Sequence, residues 1–362
     1  MARKLVYMSE SLRIYIEKTL IHLGVPEADA QIVADVILAA DLRGVDSHGI
    51  IRLHSYYTNG LLMKRINPLS PSRIVHETMT TATIDGEAGL GQVVSYKAMQ
   101  TCIEKAKQTG VGMVAVRNSN HYGIAAYYAM MALQENMIGI SFTNSQPLVA
   151  PTYGRTALLG TNPISVAVPA GTEKPYVLDM ATSIVPIGRI TVYQKAGKEI
   201  PVGWGIDPSG VPTSDPDAVL HGGALMPLGG IDLMRGYKGY GLALWVDIFC
   251  GVLSGAAFGP FVGHPTDPEK TNVGHYFAAM RIDAFRPVDD FKKDMDLLIQ
   301  TLKNSPKAAG QDRIYIHGEK EFELEETHKT NGIPLMEEVV DMLKTSSKEV
   351  GVPFDLEPVA VL

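Results

Sequence analysis

The stretch HETMTTATIDGEAGLGQVV, residues 76–94, decides the fold class by what it lacks. Its first half alternates in strand fashion and turns at Asp85-Gly86. A helix is expected just beyond it, over residues 93–109. Strand, glycine turn and helix in that order are the setting of the G-x-G-x-x-G dinucleotide fingerprint, whose third glycine lets helix and strand pack closely. Here Gly89-Leu90-Gly91 runs into Gln92-Val93-Val94, with no third glycine. The other glycine-rich run, GYKGYG at 236–241, has its glycines in the wrong order. A conventional Rossmann site is therefore not supported.

Working outward, residues 10–23 and 28–43 place apolar positions at helical spacing, with Pro26 where the second helix would begin. The run NPLSPSR (67–73) marks a boundary. Downstream come a strand at 111–119 (VGMVAVRNS), a helix from Ile124 to Asn136 and a strand at MIGISFTNS (137–145). Residues 158–181 read as short strands, and Ala196 to Pro216 as a polar connection without regular structure. The C-terminal third reads as a buried helix over 241–252, a strand at 274–283, a helix near 287–303, a strand at 313–316 and a last helix over 333–347. Strands and helices mix without strict alternation, which favours α+β over a doubly wound sheet. The expected division is a helical region, 1–75, joined by C-terminal helices in 285–362, and a mixed α/β domain over 76–284.

With 362 residues, 46% hydrophobic and 20% charged, the chain can bury a sizeable core. Its 32 Lys and Arg against 39 Asp and Glu, with no long basic run, argue against nucleic acid as a partner. A small anionic substrate needs one or two local cations and stays open. Cys102 and Cys250 alone build neither a disulfide framework nor a Cys-rich metal site, and a reducing, cytoplasmic setting is expected. The N-terminal segment does not read as a secretory signal. The apolar run 241–259 contains Asp247 and several glycines, so a buried helix is preferred to a membrane span.

Four stretches hold residues suited to chemistry. RGVDSHGIIRLHSYY (43–57) crowds Asp46, Ser47, His48, Arg52 and His54 together. If a helix resumes at His48, Arg52 falls on the same face, and a proton-transferring imidazole and a carboxylate-gripping guanidinium share one space. The plainer alternative is a helix cap at Asp46 or Ser47 with surface His and Arg. VRNSNHYGIAAYY (116–128) sets His121 between a strand end and a helix start, a common place for sites, or else a polar turn with a satisfied histidine. In 143–170 and 177–183, Asn144, Ser145, Asn162 and the Gly160-Thr161 backbone offer short polar groups to ribose, amide or phosphate oxygens. Asp179 would either orient a catalytic histidine or cap a helix starting near Met180. MPLGGIDLMRGYKGYGLAL (226–244) joins glycines and Lys238 ahead of a helix, which makes a diphosphate cradle or merely tight turns. There is no G-x-S-x-G, H-E-x-x-H or P-loop, and no metal is expected.

Together these stretches resemble the type-2 malate/lactate dehydrogenase family, which includes ureidoglycolate, sulfolactate and diketogulonate oxidoreductases. The resemblance runs over nearly the whole chain, through DSHGIIR (46–52), NSNHYG (118–123), GTNP (160–163), LDMATS (178–183) and PLGG with GYKGYGLAL (227–244), in the family's order. It implies a mixed, mainly antiparallel NAD(P)-binding sheet of non-Rossmann type with a helical substrate-side region. It implies a homodimer with active sites near the interface, and hydride transfer between NAD or NADP and a small 2-hydroxy or 2-keto acid, malate and oxaloacetate first. Lactate, sulfolactate, ureidoglycolate, diketogulonate and cyclic imine acids are the alternatives, and nucleotide binding without catalysis is the non-enzymatic one. The acid/base falls to His48 or His121, with Arg52 on the substrate carboxylate and Asp179 beside them. Cofactor contacts are expected from Ser47, Ser145, Asp179, Met180, Ala181, Leu228, Gly229 and Lys238, and from His317, Gly318 and Glu319 of HGEK (317–320). His317 stands where many relatives carry proline, which puts the local loop conformation in question.

Overall fold

The computed structural model describes residues 3–362. A seven-stranded mixed sheet organises it: β2 (Arg73–Glu77), β3 (Thr81–Asp85), β4 (Val111–Ser119), β5 (Met137–Thr143), β6 (Ile164–Val168), β7 (Tyr176–Met180) and β11 (Val273–Arg281), in the order β2-β3-β4-β11-β5-β6-β7. β3 and β4 run parallel, and the other neighbouring pairs are antiparallel. The parallel pair is joined across one face by α4 (Gly91–Thr109), which presses Val94, Ala98, Cys102 and Ala106 onto the strands. Close packing of this helix is secured by a glycine on the following strand. A Cβ on Gly112 would lie 2.1 Å from the Cys102 carbonyl oxygen. β11, inserted between β4 and β5, is mostly buried and carries His275 into the interior.

The N-terminal part is helical. α1 (Ser9–His22) and α2 (Glu27–Leu42) bury Leu12, Ile16, Leu20, Val33 and Ile37 against α11 (Glu337–Val350). α3 (Asn59–Leu62) follows the active-site loop described below. A small sheet ties the two ends of the chain together, with β1 (Lys4–Tyr7) antiparallel between β12 (Ile333–Met336) and β13 (Ala360–Val361). α10 (Glu319–Asn331) lies on α2, where His328 Nδ1 meets the terminal carbonyls of Asp41 and Leu42 at 3.1 and 3.0 Å. α9 (Val288–Lys303) packs elsewhere: its Asp296 accepts the Gly171, Thr172 and Glu173 amides beside β6 and β7. A third cluster gathers α6 (Ile187–Lys195), α7 (Pro216–Leu220), the two-residue strands β8 (Gly205–Ile206), β9 (Pro212–Thr213) and β10 (Ala224–Leu225), and α8 (Tyr237–Asp247) around Ile190, Val219, Leu225 and Ala243. α5 (Ala125–Met131) sits over β5 and β6.

Several sequence expectations are corrected. The 241–252 segment is not a buried helix. α8 and the wide turn that continues it, Ile248–Val252, bury Ala243, Val246, Asp247 and Cys250, but leave Trp245 41% and Val252 59% exposed, with Leu244 and Ile248 exposed beside them. An all-round apolar composition cannot tell a core helix from one with an uncovered face. Residues 313–316 form no strand, because no sheet edge is there to pair with them and Arg313 is drawn to Glu319 and Glu323 instead. The segment 333–347 opens as β12 before becoming α11. The helices α6 and α10 were not foreseen. No helix among the described residues is long and apolar enough to cross a membrane.

Candidate active site

The first half of the site hangs from the end of α2. Gly44, at φ +72°, turns the chain out of the helix, and Val45 N–H closes the turn on Ala40 O at 2.8 Å. A short 3₁₀ turn, Asp46–His48, follows, and helical winding resumes at about Arg52, running into a wide turn over Leu53–Thr58. His48 and Arg52 therefore do not share a regular helical face as expected. They share a space for another reason: Arg52 Nε donates to Ser47 O at 2.6 Å, which draws the guanidinium back along the loop. Its Cζ lies 4.6 Å above the Tyr56 ring. No carboxylate among the described residues comes within ion-pair distance of Arg52, so its outer nitrogens are free for an anion.

The second half comes from the end of β4. Buried Asn120 donates to the carbonyls of Ala88 and Gly89 at 3.1 and 2.8 Å, tying this strand end to the turn before α4. Gly91 permits the approach, since a Cβ there would meet Asn120 O at 2.2 Å. His121 then projects toward the first loop. Its ring stacks on that of His48, with centroids 5.4 Å apart and planes at 24°, and the Tyr56 ring stands edge-on at 5.0 Å. His121 Nδ1 is hydrogen-bonded to Tyr57 Oη at 2.8 Å, and Gly123 N–H faces the same nitrogen at 3.4 Å. Beneath them Tyr122 stacks on His275 at 4.5 Å, and His275 bridges Thr143 and Ser119 at 2.8 and 2.9 Å.

Burial, then the Arg52 charge, pushes His48 down to about 4. His121 lies well below the ordinary histidine value, from burial first and then from His48, Arg52 and His275. Both rings are neutral at pH 7. His48 Nδ1 contacts Ser47 Oγ at 2.8 Å. His54, counted with this loop in the sequence, is buried away from it between Tyr15 Oη and Thr58 Oγ1 at 2.9 and 3.1 Å.

Beside His48 opens a cavity of about 500 Å³. Ser47, His48, Asp179, Met180, Ala181, His317 and Gly318, all singled out in the sequence, line it. Asp179 neither orients a histidine nor caps a helix near Met180, because β7 runs on through Met180. Its Oδ2 accepts Ala126 N–H at 2.8 Å, capping α5 from the neighbouring strand. Burial lifts its carboxyl to about 6, with Ala126 N–H and the Arg43 charge acting against the rise. Ser145, Leu228, Gly229 and Lys238, expected at the cofactor, are not among the residues that line it. Ser145 Oγ accepts the amide of Thr161, a lining residue, at 3.1 Å, and Leu228 N–H donates to Thr182 O at 2.8 Å. Gly229 turns at φ +95°, and Lys238 is exposed on the first turn of α8, where Gly239 abuts Leu228. Glu319 is turned away: it pairs with Lys303 and Arg313 at 2.8 Å each and accepts Ile316 N–H. At 317 the backbone uses only its carbonyl, which accepts Val177 N–H at 3.0 Å, so histidine and proline can make the same bond to β7.

Sequence reasoning passed over Arg43 and Tyr57, and took in Lys320 only as the last residue of HGEK (317–320). Arg43 is 3% exposed in the cavity wall, between Glu325 at 2.9 Å and the Phe322 ring at 4.5 Å. Arg43 and Tyr57 open and close the quoted stretch 43–57, but their roles depend on α10 and β4, far away in sequence. Lys320 and Glu321, in the first turn of α10, line the cavity, and their amides have no backbone acceptor among the described residues. No cluster of metal-ligating side chains is found among the described residues.

Residues 8–344 match the family model described as malate/L-lactate dehydrogenase. The chain is 50% identical over 344 residues to a malate dehydrogenase of Pyrococcus abyssi, covering 95% of this chain and 94% of that one. It is 41% identical over 333 residues to an L-sulfolactate dehydrogenase of Methanocaldococcus jannaschii, covering 92% and 93%. Among solved structures, malate dehydrogenase from Pyrococcus horikoshii superposes with a TM-score of 0.90 at 45% identity, covering 96% of each chain.

Proposed function

The chain belongs to the malate/L-lactate dehydrogenase family, and from that premise we propose that it transfers a hydride between NAD or NADP and a small 2-hydroxy acid, with malate and oxaloacetate the first pair. The observation that carries this reading is the stack of His48 on His121 beside an unpaired Arg52.

The cavity beside His48 fits a nicotinamide dinucleotide. Its volume of about 500 Å³ suits a ligand of that class, and its lining mixes apolar Ile124 and Val177 with polar Asp179. The free amides at the start of α10 suit a phosphate, and Asp179 Oδ1 suits a ribose hydroxyl. Ser145 holds the lining residue Thr161 in place, and Leu228 bonds Thr182 beyond Ala181. The nicotinamide supplies or accepts the hydride at the substrate's C2.

The chain's own residues do the rest. Arg52 grips a substrate carboxylate with its outer nitrogens, which fixes C2 and screens the charge that develops on its oxygen. His121 is the acid/base. In oxidation its Nε2 takes the hydroxyl proton while Nδ1–H keeps its proton and donates a hydrogen bond to Tyr57 Oη; in reduction Nε2 returns the proton. Tyr57 serves both states because its oxygen accepts the Nδ1–H bond whether or not Nε2 carries a proton. His48, held by an exposed neighbour, binds substrate or nicotinamide. A dianionic substrate offsets the Arg52 charge, which adds to burial in keeping both histidines neutral, so it favours the protonated ring that reduction requires.

The uncovered apolar face of α8, with Phe258 and Phe261 nearby, supports a homodimer with the site near its interface. Two buried free cysteines suit a reducing compartment such as the cytoplasm.

Oxidation of NADH and of NADPH with oxaloacetate, pyruvate, sulfopyruvate and piperideine carboxylate tests the reading. Oxaloacetate is expected to give the highest kcat/KM. His121→Ala should lower kcat by at least about a hundredfold, and His48→Ala should act mainly on KM. Turnover unaffected by either change would overturn the mechanism.

A further inference from the structure

Asp41 takes no part in the chemistry above, yet it lies in the last turn of α2, directly under the loop that carries His48 and Arg52. It is 2% exposed. Its Oδ2 accepts Ile50 N–H at 2.7 Å. Its Oδ1 occupies the place of a side chain on Gly49, where a Cβ would lie 1.7 Å away. Gly49 has φ −83°, a value open to any residue, so glycine is needed there for room and not for backbone handedness. No cation pairs with Asp41 among the described residues. The ionisable groups nearby are Asp46 on its own loop, which repels it; His328 and Glu325 of α10, the first on the Asp41 carbonyl and the second paired with Arg43; and Lys4 of β1, which acts on Asp46. A buried carboxyl without a counter-ion is unfavourable, and burial raises this one to about 8, so it is neutral at pH 7.

We propose that Asp41 is a positioning residue: wedged against Gly49 and holding the Ile50 amide, its carboxyl sets the spacing between His48 and Arg52. Residues 49 and 50 are the midpoint of the loop between those two side chains. The other hydrogen bonds that shape it are local, His48 N–H to Val45 O and Arg52 N–H to Gly49 O at 2.9 Å, Leu53 N–H to Ile50 O at 3.0 Å and Arg52 Nε to Ser47 O at 2.6 Å, and they fold the loop on itself without fixing it to α2. The Asp41 contact is the buried side-chain tether between the loop's centre and α2. Because it holds a backbone amide and touches neither substrate nor cofactor, its loss should appear in kcat rather than in cofactor affinity. The inference rests on the dehydrogenase reading above.

The test compares the wild-type chain with Asp41→Ala, Asp41→Asn and Gly49→Ala, by hydrogen exchange of the loop amides without ligands and by kcat and KM with oxaloacetate and either nicotinamide. Asp41→Ala should speed exchange at Ile50 and lower kcat by about tenfold to a hundredfold, the scale of a displacement of about 1 Å at a reacting group. Its cofactor KM should stay within about twofold. Asp41→Asn is isosteric with the neutral acid and keeps an acceptor, so it should restore both slow exchange and kcat to within about threefold of wild type. Gly49→Ala, which displaces the carboxyl while keeping it, should reproduce the loss even if Asp41→Ala does not fold. Unchanged exchange or unchanged kcat in Asp41→Ala, full activity in Gly49→Ala, or an Asn variant as slow as the Ala variant would each overturn the proposal. A wild type inactive on every keto acid, with Asp41→Ala still loosening the loop, supports the tether and overturns the dehydrogenase reading instead.

Discussion

Replacing Tyr57 with Phe isolates one hydrogen bond of the acid/base. Tyr57 is 1% exposed and packs in the helical core, so Phe keeps the ring and its contacts and removes only the oxygen 2.8 Å from His121 Nδ1. What remains near that nitrogen is Gly123 N–H at 3.4 Å, a donor that favours a proton on Nε2, the nitrogen that must be bare to take the substrate proton. A hydrogen bond of this kind contributes about 1 kcal/mol net, and leaving the buried nitrogen poorly partnered costs about 1–3 kcal/mol. Since about 1.4 kcal/mol is tenfold in rate, kcat should fall by about fivefold to about 140-fold. KM for the keto acid should move by less than about twofold, because the lost oxygen meets the histidine and not the substrate. Steady-state kinetics in both directions measure this. The double variant with His121→Ala should be no slower than His121→Ala alone, since the hydroxyl acts through the ring. A Tyr57→Phe enzyme with unchanged kcat, or additive losses in the double variant, would refute the assignment of proton transfer to His121.

Three further outcomes follow from the same geometry. Keto-acid binding to the cofactor-loaded protein should take up a proton at pH 7 to 8, read by calorimetry in buffers of different ionisation enthalpy; binding heats independent of the buffer would contradict the link between Arg52 and the histidines. The melting temperature should peak near pH 6.5. Below it, His48 and His54, held down to about 4, and His275, held down to about 3, bind fewer protons folded than unfolded, so stability is lost as pH falls from about 6.5 through 4. Asp41 and Asp179, raised to about 8 and 6, oppose this at acid pH, and above 6.5 Asp41 makes stability decline until pH passes about 8. Asp41→Asn should abolish that decline, and a variant melting profile parallel to the wild type would be the contrary result. Finally, Trp245→Glu should shift the chain from dimer to monomer in light scattering, whereas an unaltered mass would place the interface off α8.

Much of the fold was legible because its signals are local. α1, α2, α4, β4 and β5 announce themselves by apolar period and by the glycines and proline at their ends, and each lies within a few residues of its expected place. The errors arose where a neighbour decides the outcome. Residues 333–336 are a strand because β1 lies beside them, and 313–316 are not because nothing does. Within the site, His48, Arg52 and His121 could be named from their chemistry and motifs. Tyr57 and Arg43 could not, since one acquires its role from β4 and the other from α10. Asp179 was noticed for the right reason, a carboxylate in need of a donor, but that donor is an amide of α5 on a different segment.

The small sheet that joins the chain's two ends bears on when the active site can form during synthesis. β1 finds its partners only in residues 333–336 and 360–361, and the core beneath the 43–57 loop is completed by α11. While these are still in the ribosomal tunnel, α1 and α2 have no cover for a large part of their apolar face. The sheet strands from β3 to β7 can collapse meanwhile, since the contacts they need, β11 excepted, are near at hand. The cover of α1 and α2, and with it the support of the loop that holds His48, is therefore complete only once residues 333–361 have been made.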